Sequence, residues 1–307
     1  MKDHISVCIC TFKRPRKLRL LLDYLTKQDT KDLFNFSIII IDNDKSASAK
    51  KIFEEFKAKK DQILLDVIYG VEEKQNIALA RNRAVKYSKG DYVAFIDDDE
   101  LPESNWLLNL YQTINKYHVE GVMGPVCPQF EVKPPSWVLR GGFFNRKRFN
   151  TGHKMNWTES RTGNVLLRRE IFTKNTIWFK EEFGSGGEDR DFFLRKINEG
   201  YRFIWCDEAV VYELIPKIRW NIIFMIKRAL LRGKVSANYS RSNKISILNS
   251  IIACVTYILS LPYLLIISPL TGLEYSIKYL ISLFDHLGKI LAVIKINPIK
   301  DIYIISN

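Results

Sequence analysis

The chain has 307 residues, of which 47% are hydrophobic, so it can bury a sizeable core. Its formal net charge of +13 at pH 7 indicates anionic partners and says nothing about the fold. The five cysteines form no CxxC pair, which argues against a zinc finger and fits a reducing cytosol. The first residues predict no secretory signal, because basic side chains break the short apolar run at once.

Apolar runs and helical spacings alternate along the first third of the chain. The runs predict four buried strands, at Ile5 to Cys10, Phe36 to Ile41, Ile63 to Tyr69 and Tyr92 to Ile96. The spacings predict helices at Arg16 to Tyr24, Ala49 to Lys59 and Gln75 to Tyr87, the last with Gly90 as its C-cap glycine. Strands of this kind, separated by helices, predict an α/β fold with a mostly parallel sheet covered on both faces.

The middle of the chain is less regular. Glycines and prolines from Gly121 to Pro135 and mixed aromatic and basic residues from Trp137 to Trp157 predict a long, partly ordered loop. Strands are then predicted at Asn164 to Leu167 and at Phe203 to Trp205, on either side of a helix that ends near Asn198.

Polar side chains follow the predicted strands, at the edge where ligands bind in parallel sheets. The sharpest group is Asp97, Asp98 and Asp99, whose adjacent charges repel unless a cation neutralises them. Asp97 and Asp99 are therefore predicted ligands of a hard divalent cation that would also hold a diphosphate. The alternative is a solvated turn, with Asp99 near the cap of a helix that starts around Ser104.

A second group follows Gly186 and Gly187, which allow a sharp turn before a helix that opens with Glu188 and Asp189. One carboxylate there could serve as a general base on an acceptor hydroxyl. We assign that role to Asp189, with Glu188 orienting the acceptor. The alternative is simple helix capping, which the helix dipole favours.

The remaining candidates are predicted to contact the donor nucleotide and its phosphates. Asp42 and Asp44, after the second strand, could accept hydrogen bonds from a base or ribose, or could only organise a turn. Arg14 and Arg81 could contact phosphates, or could face solvent. The full set is Thr11, Arg14, Asp42, Asp44, Asn76, Arg81, Asp97 and Asp98.

The C-terminal third carries no acidic residue from Leu214 to Leu273. Its first half holds eight basic residues, and 245–273 carries no charge but includes Pro262 and Pro269. The segment is long enough for one membrane span, or for an in-plane hairpin. The basic residues before it favour the cytoplasmic face and an anionic membrane surface. The alternative is a buried helical pair in a soluble protein. We predict two domains, 1–213 and 214–307.

These motifs together resemble those of the family 2 glycosyltransferases, most closely the rhizobial succinoglycan-type glucosyltransferases of exopolysaccharide assembly. The stretches that carry the resemblance are Val7 to Pro15, Ile41 to Asp44, Gln75 to Ala84, Phe95 to Glu100, Arg161 to Leu167, Gly187 to Asp189, Val211 to Glu213 and Arg228 to Gly233. Each stretch alone is weakly specific, whereas their order along the chain is specific.

The resemblance implies a GT-A fold, a Rossmann-like sheet flanked by helices, and inverting transfer from a UDP-sugar with Mg²⁺ or Mn²⁺. It implies that Asp42 reads the uracil or ribose, that Asp97 and Asp99 serve donor and metal, and that Asp189 is the base. Relatives carry a histidine where this chain has Tyr212 and Glu213, so Glu213 is a candidate for the last metal ligand. Glucose and a lipid-linked or oligosaccharide acceptor follow from the branch, with no nucleic-acid partner.

Two other functions compete with this interpretation. A sugar nucleotidyltransferase also uses metal-binding aspartates on an α/β sheet, but it should carry a glycine-rich phosphate loop, and Cys10 to Pro15 contains no glycine. A non-enzymatic basic protein of membrane surfaces or nucleic acids would explain the charge, but would leave the Asp triplet without a task.

Overall fold

The computed structural model describes residues 2–58, 65–173, 177–184, 186–238 and 244–296. The chain divides into two compact units. The first contains residues 1–129 and 146–214, and the second contains residues 130–145 and 215–307. The segment 130–145 therefore belongs with the C-terminal helices, although it lies in the middle of the sequence.

The first unit is built on a seven-stranded sheet in the order β3-β2-β1-β4-β8-β6-β9. Its strands are β1 (Asp3–Thr11), β2 (Phe34–Asp42), β3 (Asp66–Val71), β4 (Tyr92–Phe95), β6 (Gly121–Met123), β8 (Val165–Arg168) and β9 (Phe203–Trp205). Neighbours pair in parallel except at β8, which is antiparallel to both β4 and β6. The prediction of a mostly parallel α/β sheet is thus confirmed.

Helices cover both faces of this sheet, and one hydrophobic core lies on each side. They are α1 (Pro15–Leu25), α2 (Lys50–Lys57), α3 (Ile77–Tyr87), α4 (Trp106–Tyr117) and α6 (Glu188–Asn198). The four isoleucines of β2 show why the strands lack alternation: all are fully buried, and successive side chains enter opposite cores. Proline at the start of α1 and the Asn76 cap of α3 fix where those helices begin.

Three details differ from the predictions. Helix α3 ends at an extended Ser88, so Gly90 is not its C-cap. A side chain at Gly90 would instead meet the backbone of β1, since its Cβ would lie 2.4 Å from the His4 carbonyl oxygen. The predicted loop contains β6, β7 (Val126–Phe130) and the short helix α5 (Ser136–Gly141). The third strand begins at Asp66, and the predicted residues 63 and 64 lie outside the described residues.

A second sheet begins directly after the Asp triplet. It has three strands in the order β5-β10-β7, with β5 at Glu100–Pro102 and β10 at Val211–Ile215. Strands β5 and β10 are antiparallel, and their register sets Glu100 directly opposite Glu213. Two like charges in this position repel, so the pair needs a compensating cation or a shared proton.

The second unit contains α5 and three helices, α7 (Ile222–Asn238), α8 (Lys244–Thr271) and α9 (Leu273–Val293). Helices α7 and α9 approach closely through two glycines: a Cβ at Gly233 would lie 1.9 Å from the Asp285 carbonyl oxygen, and one at Gly288 would lie 2.3 Å from that of Leu230. Arg140 of α5 donates to Glu274 of α9 at 2.7 Å.

Helix α8 is long and apolar enough to cross a membrane over Ile245–Thr271. Only 11% of its most apolar 18-residue stretch is buried. It is a single helix with Pro262 and Pro269 in its interior, so the in-plane hairpin is not the conformation of this segment. Because a core helix of a soluble protein would bury most of its apolar surface, the exposure favours membrane association over the buried helical pair.

Candidate active site

The three aspartates after β4 point to different partners. Asp98 accepts hydrogen bonds from Thr11 Oγ1 at 2.8 Å and from Arg14 Nη1 at 2.9 Å. Asp99 is buried beside Arg14 Nη1, at 3.3 Å, and Lys17 Nζ, at 3.8 Å. Only Asp97 is substantially exposed, with 46% of its side chain accessible. The triplet therefore presents one open carboxylate and uses the other two to fasten the start of α1.

Arg81 ties the triplet to the helix that carries the predicted base. Its guanidinium is buried, lies 3.6 Å from Asp97 and forms an ion pair with Glu188 at the start of α6. Burial lowers the pKa of Arg81, but the charges of Glu188 and Asp97 outweigh it and hold the pKa above its ordinary value. The sequence left open whether Arg81 contacts phosphates or faces solvent. Its burial excludes the solvent-facing alternative.

Glu188 and Asp189 differ in their surroundings. Glu188 is 5% exposed, and burial raises its pKa to about 7, with Arg81 opposing and Asp189 adding to the shift. Its Oε2 has no hydrogen-bond partner among the described residues. Asp189 is half-buried, and its Oδ1 accepts from the Arg190 backbone at 2.7 Å. The turn before them uses Gly186 and Gly187, both at positive φ, as the glycine pair predicted.

Asp42 and Asp44 organise the loop after β2. Asp42 is fully buried and accepts hydrogen bonds from the backbone of Ala49 at 2.7 Å and from the Tyr69 hydroxyl at 3.0 Å. Asp44 accepts from the Ser46 backbone and hydroxyl. The turn alternative therefore describes what these carboxylates do in this structure, and their contact with a base or ribose stays a prediction.

Asn76 connects the start of α3 to the loop before the glycine turn. Its side chain accepts from the Leu79 backbone at 3.2 Å and donates to the Glu181 carbonyl oxygen at 2.9 Å. Gly184 lies so close that an added Cβ would be 2.1 Å from Asn76 Cγ. Asn76 thus has a structural role, and its predicted contact with the donor remains a prediction.

Further carboxylates surround Asp97. The backbone N–H of Asp97 donates to Glu100 Oε2 at 3.1 Å, while Glu100 Oε1 is buried with no hydrogen-bond partner among the described residues. Burial, then the charge of Asp97, raises the pKa of Glu100 well above its ordinary value. Glu213, opposite Glu100, pairs with Arg146. Arg146 and the raised pKa of Glu100 explain how the register tolerates this pair.

The oxygen donors near Asp97 fit a hard divalent cation. Within the described part of the chain, no group of three His, Cys, Asp or Glu side chains is arranged to hold a metal by itself. Mg²⁺ and its like commonly need only one or two carboxylates, with substrate phosphates and waters completing the shell. Asp97 is open, and the unpartnered Glu100 Oε1 beside it is a suitable second donor, whereas Asp99 faces Arg14 and Lys17. The metal role of Asp99 stays a prediction.

The sequence reasoning missed several of these groups as site residues. Glu100 and Arg161 were noted only as parts of matching stretches, and Arg146 only as one basic residue of a loop. The register of β5 and β10 that brings Glu100 to Glu213 depends on distant segments. The residues next to each of them in the sequence do not indicate which distant side chains they contact.

Comparisons with known proteins identify the family of this chain. Residues 6–175 match the family described as glycosyl transferase family 2. The succinoglycan biosynthesis protein ExoM of Rhizobium meliloti is 32% identical over 238 residues, covering 75% of this chain and 73% of the relative. An uncharacterised glycosyltransferase of Methanocaldococcus jannaschii is 24% identical, covering 81% of this chain and 83% of the relative.

Solved structures show the same fold. The mannosyltransferase PcManGT from Pyrobaculum calidifontis, in complex with GDP-Man and Mn²⁺, superimposes with a TM-score of 0.63 at 18% identity, covering 96% of this chain and 87% of that chain. S. aureus TarS in complex with UDP-GlcNAc has a TM-score of 0.53 at 17% identity, covering 95% of this chain and 91% of that one.

The chain belongs to glycosyltransferase family 2. It is a transferase with a GT-A-like fold, as the motifs predicted. Membership favours this interpretation over the sugar nucleotidyltransferase and the non-enzymatic basic protein.

Proposed function

We propose that this chain is an inverting, metal-dependent hexosyltransferase of cell-surface polysaccharide synthesis. The donor would be a UDP-sugar, UDP-glucose in particular, and the acceptor a lipid-linked or free oligosaccharide. The observation that carries the proposal is the buried Arg81, which joins Glu188 at the start of α6 to Asp97 at the end of β4. One cation thereby holds the proposed acceptor side and the proposed donor side together.

The reaction would be a single displacement. The acceptor oxygen forms a bond to the anomeric carbon while the bond from that carbon to the β-phosphate oxygen breaks. The electron pair leaves with the diphosphate, and Asp189 takes the acceptor proton. Attack from the face opposite the leaving group inverts the anomeric configuration. Asp189 suits this role because it is partly accessible at the first turn of α6, whereas Glu188 is engaged by Arg81.

A divalent cation would be held by Asp97, with Glu100 or Asp99 as the second oxygen donor. It would neutralise the diphosphate and favour its departure. Arg81 would keep Asp97 oriented, and burial of the surrounding carboxylates would exclude water from the site. Asp42 and Asp44, in the loop after β2, would contact the nucleoside through whichever acceptor positions their loop bonds leave open.

Exopolysaccharide synthesis is proposed from the relative that is 32% identical, whose name records succinoglycan biosynthesis. A lipid-linked acceptor is consistent with the exposed apolar helix α8 and with the basic residues before it. On this proposal the enzyme works at the cytoplasmic face of the plasma membrane, where nucleotide sugars and lipid carriers meet.

The proposal is tested by titration calorimetry with UDP, UDP-glucose and GDP, with Mn²⁺ and with chelator. We expect UDP and UDP-glucose to bind only with the metal. Asp97→Asn should abolish this metal-dependent binding. The exposed Asp66→Asn, at the amino-terminal end of β3 and so at the opposite edge of the sheet, is the matched control. Parallel Asp99→Asn and Glu100→Gln variants identify the second ligand. A folded native chain that binds no UDP compound would contradict the donor assignment.

A further inference from the structure

Arg161 is a positively charged group for which the described part of the chain supplies no bonded partner. It precedes β8 and is half-buried, yet among the described residues it makes no hydrogen bond and no salt bridge. Half-burial removes part of the water that would otherwise solvate the guanidinium, and no acceptor among the described residues replaces that water. Burial, together with the charge of Arg146, accordingly lowers its pKa to about 10. Proteins keep such a group where a ligand supplies the missing charge.

Its neighbour in sequence repeats the pattern. Thr162 is 1% exposed, and its Oγ1 has no hydrogen-bond partner among the described residues. A hydroxyl that is both buried and unpaired is unusual and calls for an explanation. Two consecutive residues therefore lack a hydrogen-bond partner among the described residues: a half-buried guanidinium that water still reaches, and a buried hydroxyl.

The backbone places Arg161 and Thr162 beside the part of the active site where we propose that the sugar nucleotide binds. Gly163 follows at once, and a Cβ there would lie 2.8 Å from Glu100 Oε1 and 3.1 Å from Asp97 Oδ2. The backbone at residue 163 thus passes directly beside the two carboxylates proposed for the metal.

A second guanidinium converges on the same place. Arg146 and Arg161 begin and end a loop that an ion pair between Lys147 and Glu159, at 3.2 Å, ties across its base. Arg146 is close enough for its charge to disfavour the charged form of Arg161. Arg146 is itself paired with Glu213, and the charges of Glu100, Asp189 and Glu213 oppose its effect on Arg161. Among the described residues Arg161 is thus the cation here without an ion pair of its own, and it can accept a bound anion.

We propose that Arg161 and Thr162 bind the diphosphate of the nucleotide donor. A planar guanidinium with its row of N–H donors, next to a hydroxyl, matches the oxygens of a phosphate group. The donor's diphosphate fits because the metal carboxylates adjoin Gly163. This inference rests on the proposed function and adds to it a group that would stabilise the leaving nucleotide.

The test compares UDP with uridine, which lacks the phosphates, by calorimetry in Mn²⁺. Relative to the native chain, Arg161→Gln should weaken UDP roughly ten- to a hundredfold while uridine affinity is unchanged, as expected for loss of a charge-assisted bond. Arg161→Lys should fall between the two, because it keeps the charge but not the planar donors. Arg16→Gln, on the exposed face of α1, is the control and should bind both ligands normally.

Thermal unfolding distinguishes binding from a structural role. Removing an unpaired buried donor should not destabilise the protein, so Arg161→Gln and Thr162→Val should unfold at or above the native midpoint. UDP affinity equal to the native value in Arg161→Gln would overturn the proposal and would be the result if an acceptor phosphate occupied this place. Equal weakening of uridine and UDP would also overturn it. If the native chain itself binds no UDP, the proposed function fails first.

Discussion

The neighbouring carboxylates Glu188 and Asp189 differ in the groups that they contact, and therefore in the roles that they can take. Glu188 contacts Arg81 and has almost no solvent access. Asp189 is half-buried, and among the described residues its one hydrogen bond comes from the first turn of its own helix. A general base must reach the substrate and give up its proton afterwards, and these needs favour Asp189. Glu188 is better placed to fix the position of α6.

Asp189→Asn should therefore lower turnover by about 10²- to 10⁴-fold, since it removes the proton acceptor while keeping the shape of the side chain. UDP affinity should be unchanged, because Asp189 does not serve the donor in this mechanism. Turnover is followed as UDP release, and binding by calorimetry. Asp191→Asn is the control: Asp191 pairs with Arg195 and Lys180, so its loss should affect stability more than turnover. Native turnover in Asp189→Asn would exclude it as the base.

Glu188 makes stability depend on pH. Its pKa is about 7 in the folded chain and near 4.5 when exposed, so the folded state holds a proton that the unfolded state releases between these values. In that range the contact with Arg81 is a hydrogen bond from the guanidinium to a neutral carboxyl, and it becomes an ion pair as Glu188 ionises near pH 7. Folding stability therefore falls as the pH rises from 5 to 7, by on the order of 2–3 kcal/mol. Denaturant unfolding should show this fall in the native chain, and Glu188→Gln, which cannot ionise, should lack that part of it.

The difference between the two stability curves isolates Glu188 from the other titrating groups. Glu170→Gln, at an exposed position, supplies the control and should reproduce the native curve. Native and Glu188→Gln curves that run parallel across this range would show that Glu188 is ionised in the folded protein, with Arg81 outweighing burial.

At the scale of elements, one buried asparagine holds three segments together. Asn164 precedes β8 at a φ of 57° and is fully buried. Its amide donates to the carbonyl oxygens of Pro125, at 2.9 Å, and Ala209, at 2.7 Å, and accepts from Trp106 Nε1 at 2.7 Å. Each of these hydrogen bonds joins Asn164 to a distant part of the chain. Asn164 therefore stabilises the sheet beside Gly163.

Asn164→Ala should destabilise the first unit by about 3–5 kcal/mol. The change leaves two carbonyl groups and an indole N–H unpaired, at about 1–3 kcal/mol each, and puts alanine in a left-handed conformation. Chemical denaturation followed by tryptophan fluorescence measures the loss, and the exposed Asn198→Ala should change stability by less than about 0.5 kcal/mol. A loss below about 1 kcal/mol in Asn164→Ala would mean that water replaces the bonds.

The order and type of the elements could be read from the sequence because local patterns determine them. Continuous apolar runs such as the isoleucines of β2 fit only strands buried on both faces, and Asn76 caps α3 within three residues of itself. The antiparallel strand β8 was found as a strand but not as the element that reverses direction in the sheet, since pairing is a long-range property.

The candidate site was predictable as a set of strand ends but not as a set of contacts. The sequence predicted Asp97 and Asp99 as metal ligands and Asp98 as a donor contact, yet Arg14 and Lys17 hold Asp99 at α1, and Thr11 and Arg14 hold Asp98 there. Which way a side chain turns depends on partners far along the chain, as does the environment of Arg161. Gly90 was misassigned for the same reason: it is glycine because β1 passes close by, not because a helix ends there.

On the scale of the whole molecule, charge and exposed apolar surface occur in the same C-terminal unit. Helix α8 is about 40 Å long at 1.5 Å per residue, more than the roughly 30 Å hydrocarbon core of a bilayer. Its most exposed apolar side chains include Leu259 at 74%, Ile266 at 77% and Leu270 at 91%. Basic residues of α7 precede it, and each near an anionic surface is worth about 1 kcal/mol.

Burial of the apolar surface of α8 resists salt, whereas attraction of the basic residues to the membrane surface is screened by it. Vesicle flotation at two salt concentrations therefore separates the two contributions to membrane binding. The full chain should float with vesicles of phosphatidylcholine and phosphatidylglycerol, and should stay with them at about 1 M salt, where the Debye length is near 3 Å and surface attraction is screened. Replacing Leu259, Ile266 and Leu270 with glutamine should remove the salt-resistant part. These side chains are exposed, so the fold should tolerate the change.

The matched control removes charge instead of apolar surface. Lys227→Gln with Arg228→Gln, both exposed on α7, should weaken binding at low salt and leave the salt-resistant part intact. Complete release of the native chain at high salt would mean that α8 does not enter the bilayer and that attachment is electrostatic alone. No flotation at low salt would contradict membrane association altogether, and would require another partner to cover the apolar face of α8.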